Sequence, residues 1–269
     1  MIKNYGLKFD IQKPEDYIFG ANLPMEEINP SGDWSEFLPV KEFQNLNNIE
    51  TYACVTFTIL NCIEILIKKQ YGIEKNYSER FLAAISGTKE GGNSPQTVAE
   101  FLRKIGVVPQ ELWPFDVEIN TFEKFYSSVS PKLYELAKEF NNEWEFKHEY
   151  VPTNHEAISK ALKCSPLLIS VPAWFERDGK YYRPEGFTDN HATTMIKERK
   201  EEFSRVFDSY DSPHIKDIEW GVLPMVIKRF YIKKKDIQEK KVWWLEIFIN
   251  LFLFLKDIFS SIIRTIWRY

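Results

Sequence analysis

The sequence predicts an α+β protein in which a helical part precedes a β-rich part, with a cleft between the two. In the first half, apolar residues recur at helical spacing, most clearly over residues 53–69. In the second half, short apolar runs bounded by turn residues follow, as in Leu167–Val171. The chain has 269 residues, 44% of them hydrophobic, which is enough for one large core or two small ones.

Start and stop signals define the predicted elements. Ser78 and Ser94 are typical N-cap residues, and Gly72 and Gly106 are typical of helix ends. Together with the spacing they predict helices at residues 53–69, 78–85, 95–105, 122–141 and 155–163. Apolar runs predict strands at residues 167–171, 191–197, 205–210 and 225–233. We expect the strands to form an antiparallel, barrel-like sheet against which the helices pack.

The domain organisation follows from shifts in composition. Residues 1–38 are rich in Pro, Gly, Asn and Asp and indicate an extended arm. We expect a helical subdomain at 39–150, a β-rich subdomain at 151–235 and an apolar C-terminal helix at 236–269.

The apolar C-terminal segment carries its polar residues three, four or seven positions apart, which places them on one narrow stripe of a helix. Its longest uncharged run, Ile247–Leu255, is far shorter than the roughly 20 residues of a membrane span. Three roles are open for residues 242–269: lying in a membrane surface, binding a protein partner or a second copy of the chain, or folding back on the main domain.

Composition also argues against several classes of function. The net charge is -4 and no basic run with interleaved aromatic residues occurs, so we expect no nucleic-acid partner. Three cysteines without a CxxC pair argue against a disulfide framework and a zinc site, and they favour a reducing compartment such as the cytoplasm. The histidines lack metal-ligand spacing, so no metal or cofactor is expected. No signal peptide is indicated at the start.

Cys54 is the strongest candidate for a reactive side chain. It lies in the first turn of the long predicted helix, where unpaired backbone N–H groups and the positive end of the helix dipole favour the nucleophilic thiolate. Cys62, in the middle of the same helix, and Cys164, before a buried strand, have the positions of ordinary core cysteines.

Several segments, in order, resemble motifs of the papain family of cysteine peptidases. Residues 53–58, Ala-Cys-Val-Thr-Phe-Thr, are similar to its Ser-Cys-Trp-Ala-Phe-Ser nucleophile motif. Asn190-His191-Ala192 is similar to its histidine motif, and residues 207–210, Phe-Asp-Ser-Tyr, stand where the family has Lys-Asn-Ser-Trp. Gly91-Gly92 resembles its substrate loop, and residues 39–44 resemble the stretch that leads to its oxyanion-hole glutamine. The match runs from about Pro39 to Lys233.

The resemblance implies a papain-like fold and a role for each matching residue. Cys54 would attack the scissile carbonyl and His191 would act as its base. Asp208, where the family has asparagine, would orient the imidazole, although Asn190 or Asp211 could take that role. Gln44 would bind the oxyanion together with the backbone N–H of Cys54. As substrate-binding residues the resemblance implies Gly91, Gly92 and Asn190.

The resemblance implies a cysteine peptidase that acts on peptides or proteins. The apolar segment at residues 242–269 leaves a homo-oligomer open. The 53 residues before Cys54 are fewer than the long inhibitory propeptide of secreted relatives, and the family's paired cysteines are absent. We therefore expect the compact prokaryotic or phage-type branch, with control of activity by other means. Two alternatives are a catalytically idle structural or binding protein of the same fold, for example in a virion, and a thiol amidase that acts on cell walls.

Overall fold

The fold is given by a computed structural model, which describes residues 5–10, 13, 16, 18–21, 23–183, 186, 188–199, 202–219, 221, 223–235 and 252–253. The chain divides into two units, Met1–Lys233 and Lys234–Tyr269. The helices and strands described below belong to the first unit, apart from the last residue of the final strand.

The described helices are α1 Cys54–Tyr71, α2 Glu79–Ile85, α3 Pro95–Ile105, α4 Phe122–Phe125, α5 Pro131–Glu143 and α6 His155–Cys164. The predicted caps are present: the Ser78 hydroxyl accepts from the N–H of Phe81 at 3.0 Å, and Gly72 ends α1 in the left-handed conformation. The helix predicted over residues 122–141 is interrupted between α4 and α5, because Pro131 disfavours a helical residue before it.

α1 forms the centre of the core. Every residue from Cys54 to Ile67 is buried, and the helix packs against α2 and α3 on one side and the sheet on the other. A helix that is apolar around most of its circumference is stable only when it is enclosed in this way. Its first residue therefore has a fixed position relative to the sheet.

The strands are β1 Trp144–Tyr150, β2 Leu167–Val171, β3 Phe175–Arg177, β4 Lys180–Tyr182, β5 His191–Arg199, β6 Phe203–Phe207, β7 Ile215–Glu219 and β8 Ile227–Lys234. They form one sheet in the order β1-β8-β2-β5-β6-β7-β4-β3. The register pairs Val171 with His191 and Thr194 with Phe207. His191 therefore begins β5, and Asp208 directly follows β6 on the neighbouring strand.

The sheet departs from the prediction in three respects. It is one eight-stranded sheet with a parallel pair, β4 and β7, and not the purely antiparallel barrel expected. Four strands were not predicted: β1, β3, β4 and β7. β1 lies within the region expected to be helical, and its charged residues conceal the strand pattern, since Glu149 is buried in an ion pair with Arg229. β6 ends at Phe207 and not at residue 210, so Asp208 lies in the loop that follows.

The predicted C-terminal helix, residues 236–269, lies outside the described residues except for Phe252 and Leu253. Among the described helices, none is long and apolar enough to cross a membrane. The docking role of residues 242–269 stays a prediction.

Candidate active site

Cys54 is the first residue of α1, and its thiol is free and buried. Tyr52, two residues earlier, adopts a left-handed backbone with φ of 56°, which non-glycine residues avoid and which is common next to functional sites. The first N–H groups of a helix have no intrahelical acceptor. The turn thus presents the Cys54 thiol and its backbone N–H together at the positive end of the helix dipole.

His191 and Asp208 form a buried ion pair. Nε2 of His191 lies 2.6 Å from Oδ1 of Asp208, and both side chains are almost fully enclosed. Burial alone would lower the pKa of His191, but the charge and hydrogen bond of Asp208, with a smaller contribution from Cys54, raise it to about 10. Burial would raise the pKa of Asp208, but the cations of His191 and Lys216 hold it below its usual range. The imidazole is therefore stabilised in its protonated form.

Cys54 interacts with the same imidazole. The thiol is among the groups that raise the pKa of His191, with a smaller contribution than Asp208. Nδ1 of His191 is buried and has no partner of full hydrogen-bond geometry among the described residues. Since Nε2 is occupied by Asp208, Nδ1 is the nitrogen available for proton exchange with the thiol, in a contact looser than a formed hydrogen bond. Such loose geometry is common before substrate binds.

Lys216, on β7, binds the second oxygen of Asp208. Its Nζ donates to Oδ2 of Asp208 at 2.6 Å and to the carbonyl oxygen of Tyr210 at 2.7 Å. The Lys216 side chain is only 3% exposed. Asp208 is therefore held between two cations, one on each oxygen.

Gln44 is fully buried and its amide has a fixed orientation. Oε1 accepts from the hydroxyl of Ser209 at 3.0 Å, and the backbone N–H of Gln44 donates to the carbonyl of Ser209 at 2.9 Å. The Nε2 group donates to the carbonyl of Tyr5 at 3.2 Å. The donor expected to bind an oxyanion thus binds a carbonyl of the chain itself.

The N-terminal arm lies against the predicted substrate-binding residues. The N–H of Tyr5 donates to the carbonyl of Asn190 at 3.1 Å, and the N–H of Asn93 donates to the carbonyl of Gly6 at 3.0 Å. The approach at Gly92 is close: a Cβ there would lie 1.8 Å from the carbonyl oxygen of Gly6. The arm and the loop also form a parallel bridge between Leu7 and Asn93. Residues 5–8 therefore bind where the resemblance implies substrate.

The remaining predicted residues have structural contacts. Gly91 lies next to Gly92 with a left-handed φ of 83°, and its nearest arm atom is Cε of Lys8. The side chain of Asn190 accepts from the N–H of Ala173 at 2.6 Å. Asp211, an alternative to Asp208, accepts a hydrogen bond from the Asn45 amide at 2.6 Å. Of the three candidates for the orienting role, Asp208 is the one that binds His191.

A cleft of about 600 Å³ opens beside His191 and Asp208. Aromatic rings line it: Tyr5 and Trp174 lie edge-on to the imidazole, with centroids 5.7 Å and 6.0 Å away, and Tyr210 lies at 6.1 Å. Rings in these positions limit the access of water to the imidazole, which strengthens its interaction with Asp208.

Two features of the site were not predicted from the sequence. The first is Lys216, which could have been recognised as a lysine at an inward-facing position of a strand with alternating burial. In β7, Lys216 and Ile218 are buried whereas Ile215 and Glu219 are exposed. The arm has no equivalent signal beyond Gly6, because its contacts with Gln44, Asn93 and Asn190 join residues that are at least 39 positions apart in sequence.

Comparison with known proteins supports the fold. No protein-family model matches the chain, and no curated protein matches its sequence. The structure is similar to xylellain, a cysteine protease from Xylella fastidiosa, with a TM-score of 0.64 and 16% identity over 88% of this chain and 97% of that chain. It is also similar to bromelain from Ananas comosus, with a TM-score of 0.56 and 16% identity over 73% and 96% of the two chains. Procathepsin L 3 of Tenebrio molitor gives a TM-score of 0.53 and 10% identity over 84% and 75%. The chain therefore has the fold of papain-like cysteine proteases.

Proposed function

We propose that the chain is a cysteine peptidase in which Cys54 is the nucleophile and His191 is the general acid and base. One observation carries the proposal: the buried imidazole of His191 is hydrogen-bonded to Asp208 at 2.6 Å through Nε2, and it lies near enough to Cys54 for the thiol to contribute to its raised pKa. A nucleophile, a base and a group that orients the base form the minimum set for acyl transfer. The fold adds support, since structures of similar shape are cysteine proteases.

In the proposed reaction the Cys54 thiolate attacks the scissile carbonyl carbon, and the carbonyl electron pair moves to the oxygen. The side-chain amide of Gln44 and the backbone N–H of Cys54 donate to that oxygen. Protonated His191 gives its proton to the leaving amine as the C–N bond breaks, which leaves an acyl thioester on Cys54. Neutral His191 then takes a proton from water, the hydroxide releases the acid, and the thiolate–imidazolium pair is restored.

The arm must leave the cleft for this reaction to occur. The carbonyl of Tyr5 binds the Gln44 amide, and the carbonyl of Gly6 binds the N–H of Asn93. A substrate backbone needs the same donors, so substrate and arm compete for one place. The prokaryotic or phage origin and the absence of an inhibitory segment remain predictions from the sequence. The position of the arm argues against the second prediction, because residues 5 and 6 bind donors that a substrate would need.

Proteolysis of fluorescently labelled casein in reducing buffer tests the proposal. We expect the full chain to release peptides, and Cys54→Ala to reduce the rate by at least about 10³-fold. Cys62→Ala is the matched control: it lies on the same helix, its thiol is buried, and burial raises its pKa. This control is expected to keep activity within about tenfold of the parent, as a small change away from the reacting atoms.

A second candidate function is that of a binding protein without catalysis. It is favoured by the hydrogen bond from the Gln44 side-chain amide to the carbonyl of Tyr5, because this amide is then engaged within the chain itself. It predicts no peptide release by the full chain or by a variant lacking residues 1–6. Release of fragments from cell-wall peptides but not from casein would instead favour a thiol amidase.

A further inference from the structure

The surroundings of Asp208 contain a residue that the proposed mechanism does not use. Lys216 is a buried lysine whose ammonium group has an acceptor for each of its three hydrogens: Oδ2 of Asp208 at 2.6 Å and the carbonyl oxygens of Tyr210 at 2.7 Å and Asp211 at 3.4 Å. The ring centroids of Trp174 and Tyr181 lie 5.9 Å and 5.7 Å from Nζ, close enough for cation–π attraction. This ammonium is therefore fixed in position and bound to the residue that orients the base.

A buried carboxylate next to the imidazole raises a difficulty for a peptidase. His191 must give its proton to the leaving amine, and an uncompensated anion would hold the proton on the ring. The papain family, which the sequence resembles, uses a neutral asparagine at this place. The titratable groups around Asp208 come from several elements: His191 on β5 and Lys216 on β7 bind its two oxygens, and Tyr181 on β4 and His214 in the β6–β7 loop lie near it. Cys54, on α1, acts on the imidazole of His191.

We propose that Lys216 is a positioning residue that fixes Asp208 and offsets part of its charge, so that Asp208 holds the proton of His191 less firmly than an unpaired carboxylate would. This inference rests on the proposed peptidase function. The pair has no net charge, and its free oxygen accepts from Nε2 as an amide oxygen would. Two buried residues thus replace one asparagine.

A purely structural role for Lys216 is the competing explanation, because its bonds to Tyr210 and Asp211 also anchor the β6–β7 loop. The two explanations differ in the double variant Asp208→Asn/Lys216→Met. If charge matching is the role, this variant provides a neutral acceptor and recovers activity. If loop anchoring is the role, the double variant is no better than Lys216→Met alone.

The test compares four forms of the full chain: the parent, Asp208→Asn, Lys216→Met and the double variant. Casein cleavage is measured across pH, and iodoacetamide alkylation of Cys54 is followed as a readout that needs no substrate. Each single change leaves one buried charge unmatched, so we expect each to lower kcat by about 100-fold and the double variant to return to within about tenfold of the parent. Lys216→Met is expected to move the alkaline limit of activity upward, since Asp208 then acts on His191 alone, and Asp208→Asn is expected to move it downward.

Thermal unfolding shows which forms are folded. If a single variant does not fold, an active and folded double variant still supports the proposal. A folded double variant as weak as Lys216→Met, with no movement of the alkaline limit, overturns it. A parent chain that neither cleaves casein nor is alkylated at Cys54 overturns the proposed function itself, which distinguishes the two failures.

Discussion

Two groups of buried acids border α1, and they differ in whether cations accompany them. Asp208, near the start of the helix, lies between His191 and Lys216. Glu64, three turns further along the helix, lies close to Glu42 and Glu79, and within the described residues none of the three forms an ion pair. The contrast therefore lies in the pairing of the acids and not in their burial.

The pairing decides the protonation state of each group. Burial, and then the charges of neighbouring carboxylates, raise the pKa of Glu64 and Glu79 well above the usual range, and burial also raises the pKa of Glu42. The pKa of Asp208 is lowered, because its two cations outweigh the cost of burial. A buried carboxylate that must remain ionised for function requires matched cations, whereas unmatched carboxyls are more stable when protonated.

Removing the cation from a paired acid should give the largest effect on stability. Glu149 is fully buried against Arg229, so Arg229→Leu leaves an unmatched charge in the core and is expected to lower the free energy of unfolding by about 3–5 kcal/mol. Urea denaturation measures the change. The control is Lys138→Gln, which breaks an exposed pair with Glu135 and should cost less than about 1 kcal/mol. Equal costs for the two variants would contradict the claim that a buried acid depends on its cation more than an exposed acid does.

Removing the arm from the site of Asp208, His191 and Lys216 should give the next largest effect, an increase in activity. Residues 5–8 lie over this site and do not lie over the glutamate cluster. A tethered segment competes at an effective concentration in the millimolar range, so deletion of residues 1–6 is expected to raise kcat/KM for peptides by about tenfold, mainly through KM. Leu7, which is buried, is retained. A synthetic peptide of residues 1–10 should then inhibit the shortened chain. An unchanged KM without inhibition by the peptide would show that the arm does not compete with substrate.

Removing a carboxyl from the unpaired cluster of Glu42, Glu64 and Glu79 should change stability less than removing the cation from a paired acid. The raised pKa of Glu79 means that ionisation costs stability as the pH rises above its unfolded value of about 4.3. Glu79→Gln should therefore increase the free energy of unfolding by about 1–2 kcal/mol at pH 8 and by much less at pH 4. The control is the exposed Glu90→Gln, expected to change it by less than about 0.5 kcal/mol at either pH. A gain for Glu79→Gln that is the same at both pH values would contradict the electrostatic cause.

The linkage at His191 has a related sign. Its pKa is raised to about 10 in the folded protein, so its stabilising contribution is complete below the unfolded value of about 6.5 and is lost as the pH rises through about 10. The paired site and the glutamate cluster thus both lose stability toward alkaline pH, and Glu79→Gln removes part of the second contribution only.

The elements that can be predicted from the sequence are those specified by local spacing. α1 and its Ser- and Gly-marked neighbours follow from helical periodicity and caps, which operate within a few residues. The motif around His191 lies at the start of a strand, and the register of β2 and β5 then fixes its place. Local spacing therefore places Cys54 at the start of a helix, whereas His191 and Asp208 were selected as candidates by the resemblance to the papain-family motifs.

The elements that could not be predicted depend on contacts between distant parts of the chain. β7 contains Lys216 at an inward position, and a buried lysine is expected only once Asp208 is known to lie beside it. The arm contacts Asn93 and Asn190, which are far from it in sequence and share no repeating pattern with it. The amide of Gln44 is oriented by Ser209, more than 160 residues away.

Labelling of Cys54 by a thiol-directed epoxide tests the central claim most directly. The account predicts that the epoxide modifies Cys54 in the parent chain and spares Cys62 and Cys164, since burial raises the pKa of both of those thiols. It also predicts that His191→Ala slows modification of Cys54 at pH 6 by at least about 100-fold, because the thiolate loses its imidazolium partner. Peptide mapping by mass spectrometry identifies the labelled cysteine. Modification of Cys54 at the same rate in the parent and in His191→Ala would contradict the catalytic pair.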